Sequence, residues 1–253
     1  WMLGDDDLLM PYAIEKIFNL IEKNQNVDFF YVNSYHLSTE YIDRFSNPFN
    51  TKNLPSDMKP FSRRKIEGKL RFNELINPNI SFDFLGGIFL SVFRKKNWDD
   101  NTSVLDKNAI QDKRIFSHFD NTFPHIKIFS RAFAKSDAYF NPIPLNVCLT
   151  GAREWSHMSP LIMSVRLVEA LDEYRKNGLS FWQYVYCKNY ALRNFIPDLI
   201  NMIIHRKNSG FVFINPFALI IKNFLYPNFY LSIFYFIGRR VLKVYKYIVN
   251  LLN

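Results

Sequence analysis

The stretch Trp1-Met-Leu-Gly-Asp-Asp-Asp7-Leu-Leu-Met10 places three consecutive carboxylates between two apolar runs. The apolar lead-in predicts the end of a strand, the aspartates predict a turn at its carboxyl edge, and Pro11 suits the first position of a helix. Adjacent carboxylates repel one another, and beside a core this favours a divalent cation that neutralises them. A solvated acidic turn is the plain alternative.

From this turn outward, strands and helices alternate over roughly the first 150 residues, and helices dominate afterwards. The pattern predicts strands at 27–37 and 139–149, and a strand-like run at 82–93. It predicts helices at 11–24, 63–76, 108–119, 124–134, 159–176 and 180–205, the last interrupted near Pro197. The turn-rich residues 38–60 read as an excursion from the core. The class is therefore α/β, with a ligand expected at the carboxyl ends of the strands.

The composition excludes a disordered chain and a disulfide framework. Aromatic residues make up 17% of the 253 residues, and this apolar area is ample for a core. The two cysteines, Cys148 and Cys187, match neither a zinc pattern nor a disulfide pattern. We interpret them as structural thiols in a reducing compartment.

The net charge of +9 is concentrated in the last part of the chain, since residues 199–253 contain no Asp or Glu. The cations of this stretch are Arg206, Lys207, Lys222, Arg239, Arg240, Lys243 and Lys246. Residues 211–237 are strongly apolar but interrupted by polar residues and prolines, so an in-plane helix on an anionic membrane fits better than a spanning one. A helical core extension is the alternative. Nucleic acid is disfavoured because the phenylalanines are too dense and the cations too few.

Four segments, in this order, resemble family 2 glycosyltransferases with a GT-A fold, above all the abequosyltransferase-type O-antigen sugar transferases. The resemblance covers roughly residues 1–175. The segments are Trp1-Met-Leu-Gly-Asp-Asp-Asp7, Phe82-Asp-Phe-Leu-Gly-Gly-Ile-Phe-Leu-Ser-Val-Phe-Arg-Lys-Lys-Asn-Trp98, Phe123-Pro-His-Ile126 and Leu149-Thr-Gly-Ala-Arg-Glu-Trp-Ser156.

The resemblance implies a role for each matching residue. Asp5 and Asp7 would bind Mn²⁺ or Mg²⁺, with His157 from a late loop completing the site, and the metal would hold the diphosphate of a nucleotide-sugar donor. Asp6 and Arg153 would contact the donor. The acceptor side would be formed by Gly86, Gly87, His125 and Trp155.

An inverting transferase also needs a base that takes the proton of the acceptor hydroxyl. The family usually provides it from an acidic pair that this sequence lacks, so we select Asp120, with Asp112 as the runner-up. For three of the residues to which the resemblance assigns a role, a structural explanation remains open as well. His125 is also compatible with a half-buried helix cap, Arg153 with a salt bridge to Glu154, and Trp155 with a core residue.

The expected architecture is a partial GT-A, Rossmann-like sheet over residues 1–158, a helical extension over 159–210 and a membrane-associating tail over 211–253. The expected function is transfer of a hexose or deoxyhexose to a lipid-linked acceptor in O-antigen synthesis, at the cytoplasmic face of the bacterial inner membrane. By the resemblance, the nucleotide-binding strands that normally precede the aspartates are missing. The alternative is therefore a non-catalytic, membrane-associated remnant of such an enzyme.

Overall fold

The computed structural model describes residues 1–4, 7–38, 41, 54–150 and 155–252, with side chains as far as residue 242. These residues form two compact units. The first contains residues 1–106, 124–154 and 176–179, and the second contains 107–123, 155–175 and 180–253. The first unit holds a six-stranded mixed sheet and the second is helical, so the α/β class is confirmed.

Two long parallel strands form the centre of the sheet. They are β2 (Phe29–Ser38) and β6 (Asp137–Thr150). Each is flanked by two short antiparallel strands. Next to β6 lie β1 (Leu8–Leu9) and β4 (Gly68–Arg71), and next to β2 lie β3 (Lys59–Pro60) and β5 (Ser91–Phe93).

Both faces of β2 are covered, which explains its unbroken run of apolar and aromatic residues. On one face Phe30 and Val32 pack in a cluster with Leu20 of helix α1 (Ala13–Lys23). On the other face Phe29 is fully buried among aromatic rings with centroids 4.9–6.4 Å away. These rings are Phe72, Phe84, Phe93, Phe129 and Phe133.

Among the described residues up to position 132, five further helices follow α1. In the first unit these are α2 (Pro78–Ser81), α3 (Lys95–Asp99) and, after the gap in that unit, α6 (Pro124–Ala132). The second unit contributes α4 (Lys107–Gln111) and α5 (Phe119–Thr122). The sequence therefore predicted α6 correctly, whereas only the first turn of the predicted helix 108–119 forms.

The helices of the second unit follow in order. They are α7 (Ser159–Leu161), α8 (Leu167–Lys176), α9 (Phe181–Ala191), α10 (Phe195–Ile204), α11 (Pro216–Asn223) and α12 (Pro227–Leu252). A π-turn at Ile162–Arg166 joins α7 to α8, which confirms the helical prediction for 159–176. The break in 180–205 falls at Leu192–Asn194, and Pro197 lies in the first turn of α10 instead of interrupting it.

Two other sequence predictions are wrong. Residues 63–76 form β4 and a 3₁₀ turn at Phe72–Leu75, because Gly68 and Leu70 pair with Phe140 and Ala138 of β6. Ile66, which the helix would have buried, is 73% exposed. Residues 1–4 are not a strand, and the strand of this region, β1, follows the aspartates.

The two long strands slip in register at Asn33, and its carboxamide fills the irregularity. Asn33 is 1% exposed. Its Nδ2 donates to the carbonyls of Ser62 and Pro142 at 2.9 and 3.0 Å. Its Oδ1 accepts from the N–H groups of Ser62 and Ser34 at 2.9 and 3.1 Å. One buried side chain therefore joins β2, β6 and the segment after β3.

We predict that Asn33→Ala lowers the free energy of unfolding by about 2–4 kcal/mol, because it leaves buried backbone groups without partners. Asn33→Asp keeps the shape but loses the donor. Burial raises the pKa of such a carboxyl, so its cost grows as pH rises through that pKa. Urea unfolding at pH 4.5 and 7.5 checks both, with exposed Asn208→Ala as the control. Equal midpoints for Asn33→Ala and the wild type would contradict this role.

Candidate functional site

The carboxyl ends of β2 and β6 lie side by side, where Thr150 donates through Oγ1 to the carbonyl of Leu37 at 3.2 Å. Strand β1 runs antiparallel to β6 along this end, and Leu8 pairs with Val147. Asp7 directly precedes Leu8. The last of the three aspartates is therefore at the carboxyl edge of the parallel pair, which is the edge that the sequence predicted for a ligand.

The turn that carries Asp7 is closed by its own side chain. The N–H of Gly4 donates to Oδ2 of Asp7 at 2.7 Å, and the N–H of Asp7 donates to the carbonyl of Gly4 at 3.3 Å. Asp7 is half-buried. A carboxylate held in this way offers oxygen, which is the ligand that Mg²⁺ and Mn²⁺ prefer. Asp5 and Asp6 lie outside the described residues.

An aromatic wall stands in the same unit, and we define it as Trp1, His36, Phe61 and Phe89. The rings of His36 and Phe61 stack with centroids 3.4 Å apart, and Phe61 meets Phe89 edge to face at 5.2 Å. Trp1 donates through Nε1 to the carbonyl of Phe89 at 2.8 Å. The wall thus joins the N-terminal segment, β2, the residue after β3 and the glycine segment.

His36 lies near the carboxyl end of β2, at the edge of the sheet that carries the candidate site. In the strand register it lies opposite Lys59 of β3 and opposite Cys148 of β6. Partial burial lowers the pKa of the His36 imidazole, and the nearby negative charge of Asp83 opposes that effect. The ring is therefore neutral at physiological pH, and residues opposite each other in an antiparallel pair point to the same face, so exposed Lys59 adds a cation beside it.

The glycine pair forms a tight turn beneath the wall. The N–H groups of Gly86 and Gly87 both donate to the carbonyl of Asp83, at 3.0 and 2.7 Å. A Cβ on Gly87 would lie 2.9 Å from the ring of Phe89. The turn therefore brings the ring of Phe89 close to the backbone of Gly87.

The carboxylates proposed as bases lie in the second unit. Asp120 is 6% exposed on α5. Asp112 accepts from Arg114 at 2.7 Å, from Ser117 at 2.9 Å and from His118 at 3.1 Å. The hydrogen bonds from Arg114, followed by the one from Ser117, lower the pKa of Asp112. A carboxylate stabilised in this way is a weak base, which argues against Asp112, and the assignment of Asp120 stays a prediction.

His125 is 6% exposed on α6, and its ring meets Phe129 at 5.7 Å. Burial lowers the pKa of this histidine to about 3. The imidazole is therefore neutral across the physiological range and packs inside the first unit. The predicted acceptor contact of His125 stays a prediction, and an internal packing role accounts for its environment.

The late loop lies only partly within the described residues. Arg153 lies outside them. In the second unit, Trp155 is half-buried and meets Phe116 edge to face at 5.5 Å, and His157 is exposed on a 3₁₀ turn at Ser156–Met158. Within the part of the chain that the structure describes, no three His, Cys, Asp or Glu side chains lie together as a possible metal site.

Sequence reasoning selected Asp7 and the glycine pair, whose roles stay predictions, and it did not select His36, Phe61 or Lys59. Alternation along β2 would have placed His36 on a sheet face, but the run is buried on both sides and gives no alternating pattern. Phe61 and Lys59 join the site through β3, a two-residue strand inside a segment that we interpreted as an excursion.

In comparisons with known proteins, no family model, curated protein or solved structure matches the chain.

We predict that Gly87→Ala displaces Phe89 and lowers the free energy of unfolding by about 1–3 kcal/mol, since the new Cβ collides with a ring and a backbone carbonyl. Tryptophan fluorescence, to which Trp1 contributes as one of four tryptophans, reports the shift. Gly238→Ala is the control, because its Cβ meets no atom within 4 Å. An unchanged stability and emission spectrum for Gly87→Ala would argue against a close-packed wall.

We also predict an acid-sensitive contribution from His125. Its folded pKa lies far below the value of about 6.5 in the unfolded chain, so the unfolded state binds the proton and stability falls as pH drops below about 6.5. His125→Met removes this proton uptake. Urea unfolding at pH 4.5 and 7.5 measures it. The variant should lose less stability than the wild type between the two values, and an identical loss would refute the assignment.

Proposed function

We propose that this chain carries the metal-binding and acceptor side of an inverting family 2 glycosyltransferase with a GT-A fold. The observation that carries the proposal is the position of Asp7, at the carboxyl edge of β2 and β6 and directly before β1. The resemblance of four sequence segments supports the same reaction. The substrates are a nucleotide-diphosphate sugar and a saccharide acceptor, and the product is a glycosidic bond with inverted configuration.

In this proposal Asp5 and Asp7 hold Mn²⁺ or Mg²⁺, and the donor set of carboxylate oxygens fits such a hard cation. The bound metal would stabilise the negative charge that develops on the leaving diphosphate. Asp6 and Arg153 contact the donor. The residues of this chain bind and orient the substrates around that centre.

The aromatic wall suits the acceptor side. Its ring faces offer dispersion and apolar contact to the C–H faces of a sugar, and Lys59 and neutral His36 offer polar groups next to them. Gly86 and Gly87 keep the backbone beneath Phe89 compact. Trp155 and His157 remain proposed ligands of acceptor and metal, and Asp120 the proposed base.

A membrane surface is the proposed working place, because the acceptor is proposed to be lipid-linked. No single helix in the described residues is long and apolar enough to cross a bilayer. The pair Pro216–Asn223 and Pro227–Leu242, bent by 110°, passes the same test of length and composition only when taken together. Large apolar side chains of this pair and of the break between its helices are exposed, among them Phe217 at 77% and Leu225 at 79%.

The metal role is tested by titrating the chain with Mn²⁺ and following the free ion by electron paramagnetic resonance. We predict that Asp7→Asn and Asp5→Asn each weaken Mn²⁺ binding at least about tenfold, because each removes a charged oxygen ligand. Asp100→Asn, an exposed aspartate of the same unit, should leave the affinity unchanged. If Asp7→Asn binds Mn²⁺ as tightly as the wild type, the metal centre is wrong.

A further inference from the structure

The second unit contains a cavity of about 600 Å³ beside α10 and α12. Its polar lining includes Asn201, His205, Arg239 and Arg240, and its apolar lining includes Ile204 and Phe236. A second cavity of about 440 Å³ shares Arg239 and also contains Arg193. Three guanidinium groups thus line two neighbouring hollows on one side of this unit.

Arg239 is held in place by contacts within the unit. Its Nη2 donates to Oδ1 of Asn194 at 2.7 Å, and its Nε donates to the carbonyl of Tyr235 at 3.3 Å. The guanidinium of Arg240 lies 5.1 Å from the ring centroid of Phe236. Guanidinium groups fixed in this way lose little freedom on binding, and their forked donors match the oxygens of a phosphate.

The rim of the larger cavity is apolar and faces solvent. Among the residues that line it, Ile204 is 69% exposed, Ile200 is 49% exposed and Phe236 is 38% exposed. A soluble anion would make no apolar contact with these side chains, whereas the acyl chains of a phospholipid lie next to its phosphate and would contact them. Nucleic acid is a poorer match, since its bases would need stacking faces between closely spaced cations.

One acidic group, Asp198, also lines the cavity. Ser164 donates to its Oδ2 at 2.5 Å. Burial raises the pKa of Asp198 to about 6, with the hydrogen bond from Ser164 and the charge of Arg239 opposing that effect. Asp198 is the last acidic residue before the end of the chain, so the arginines meet little opposing charge in the segment that follows.

We propose that this cavity binds the phosphate of an anionic membrane phospholipid while the exposed apolar residues of α11 and α12 lie in the acyl-chain boundary. Arg239 and Arg240 hold the phosphate, and Ile204 and Phe236 contact the first carbons of the acyl chains. The proposal rests on the membrane location proposed above but not on the metal centre. It adds a defined headgroup site to an otherwise diffuse attraction between basic residues and a charged surface.

The test is co-sedimentation of the full chain with vesicles of phosphatidylcholine, with and without 30% phosphatidylglycerol. The wild type should bind the anionic vesicles far more tightly than the neutral ones. The double variant Arg239→Gln with Arg240→Gln should bind them about 30-fold more weakly, as expected when two basic residues at the surface are lost. Equal binding of the wild type to both kinds of vesicle would overturn the proposal.

The decisive variant keeps the charge and removes the forked geometry. Arg239→Lys with Arg240→Lys should weaken binding at least about fivefold, whereas Arg206→Lys, at a basic residue outside this cavity lining, should not change it. If Arg239→Lys with Arg240→Lys binds the vesicles like the wild type, the attraction is diffuse and the site does not exist. Soluble glycerol phosphate at millimolar concentration should not displace the vesicles, and displacement would assign the cavity to a free phosphate.

Binding of Mn²⁺ by the same lysine variant separates this proposal from the proposed metal centre. Unchanged Mn²⁺ affinity together with weakened vesicle binding supports the lipid site alone. Loss of Mn²⁺ affinity in this variant would mean that the substitution disturbs the fold, and the next variant to compare would be Arg240→Lys by itself. Weakened vesicle binding by Arg240→Lys with intact Mn²⁺ affinity supports the site, and wild-type binding refutes it.

Discussion

At the bulge between β2 and β6, the carboxamide of Asn33 donates to two carbonyls and accepts from two N–H groups, all away from solvent. Buried amides without such partners are costly, so the three segments that supply them are fixed together. Ser62 is one of the partners, and the residue before it, Phe61, stacks on His36. The same contact that repairs the register of the sheet therefore also positions the aromatic wall, and the geometry of the candidate site depends on a residue that no ligand would touch.

The parts of the fold that the sequence predicted are those in which local pattern and burial agree. Helix α1, strand β2 and helix α6 have clear periodicity or a dense β-branched and aromatic run, and they form as expected. Strand β4 was missed because its apolar spacing also fits a helix, and only the pairing with β6 decides between the two. That pairing joins residues far apart in sequence, and single-residue propensities carry no information about it.

The residues of the candidate site also differ in whether a local sequence pattern or a long-range contact places them. Asp7 and the glycine pair were selected from the sequence because acidic and glycine-rich turns are local signals, and their roles stay predictions. His36 and Phe61 were not found, since a two-residue strand and one buried amide bring them together. His125 looked like a polar ligand in sequence, but its ring is packed inside the first unit and burial holds its pKa to about 3. A residue type suggests a chemistry, whereas the surroundings determine which charge state the residue has.

In the second unit, hydrogen bonds and ion pairs to Asp172 hold helices together while many apolar side chains stay exposed to solvent. Asp172 of α8 accepts from Lys222 of α11, from Tyr184 at 2.7 Å and from the buried Lys188 at 3.4 Å. The ring of Tyr226, just beyond α11, lies 5.3 Å from the Lys188 ammonium. The ion pair between Lys222 and Asp172 attaches one side of α11 to α8, while Phe217 and Ile221 of α11 stay 77% and 69% exposed. A helix that is attached on one side and keeps its apolar side chains exposed can contact a membrane surface without unfolding. The arginine-lined cavity lies in the same unit as α11 and α12.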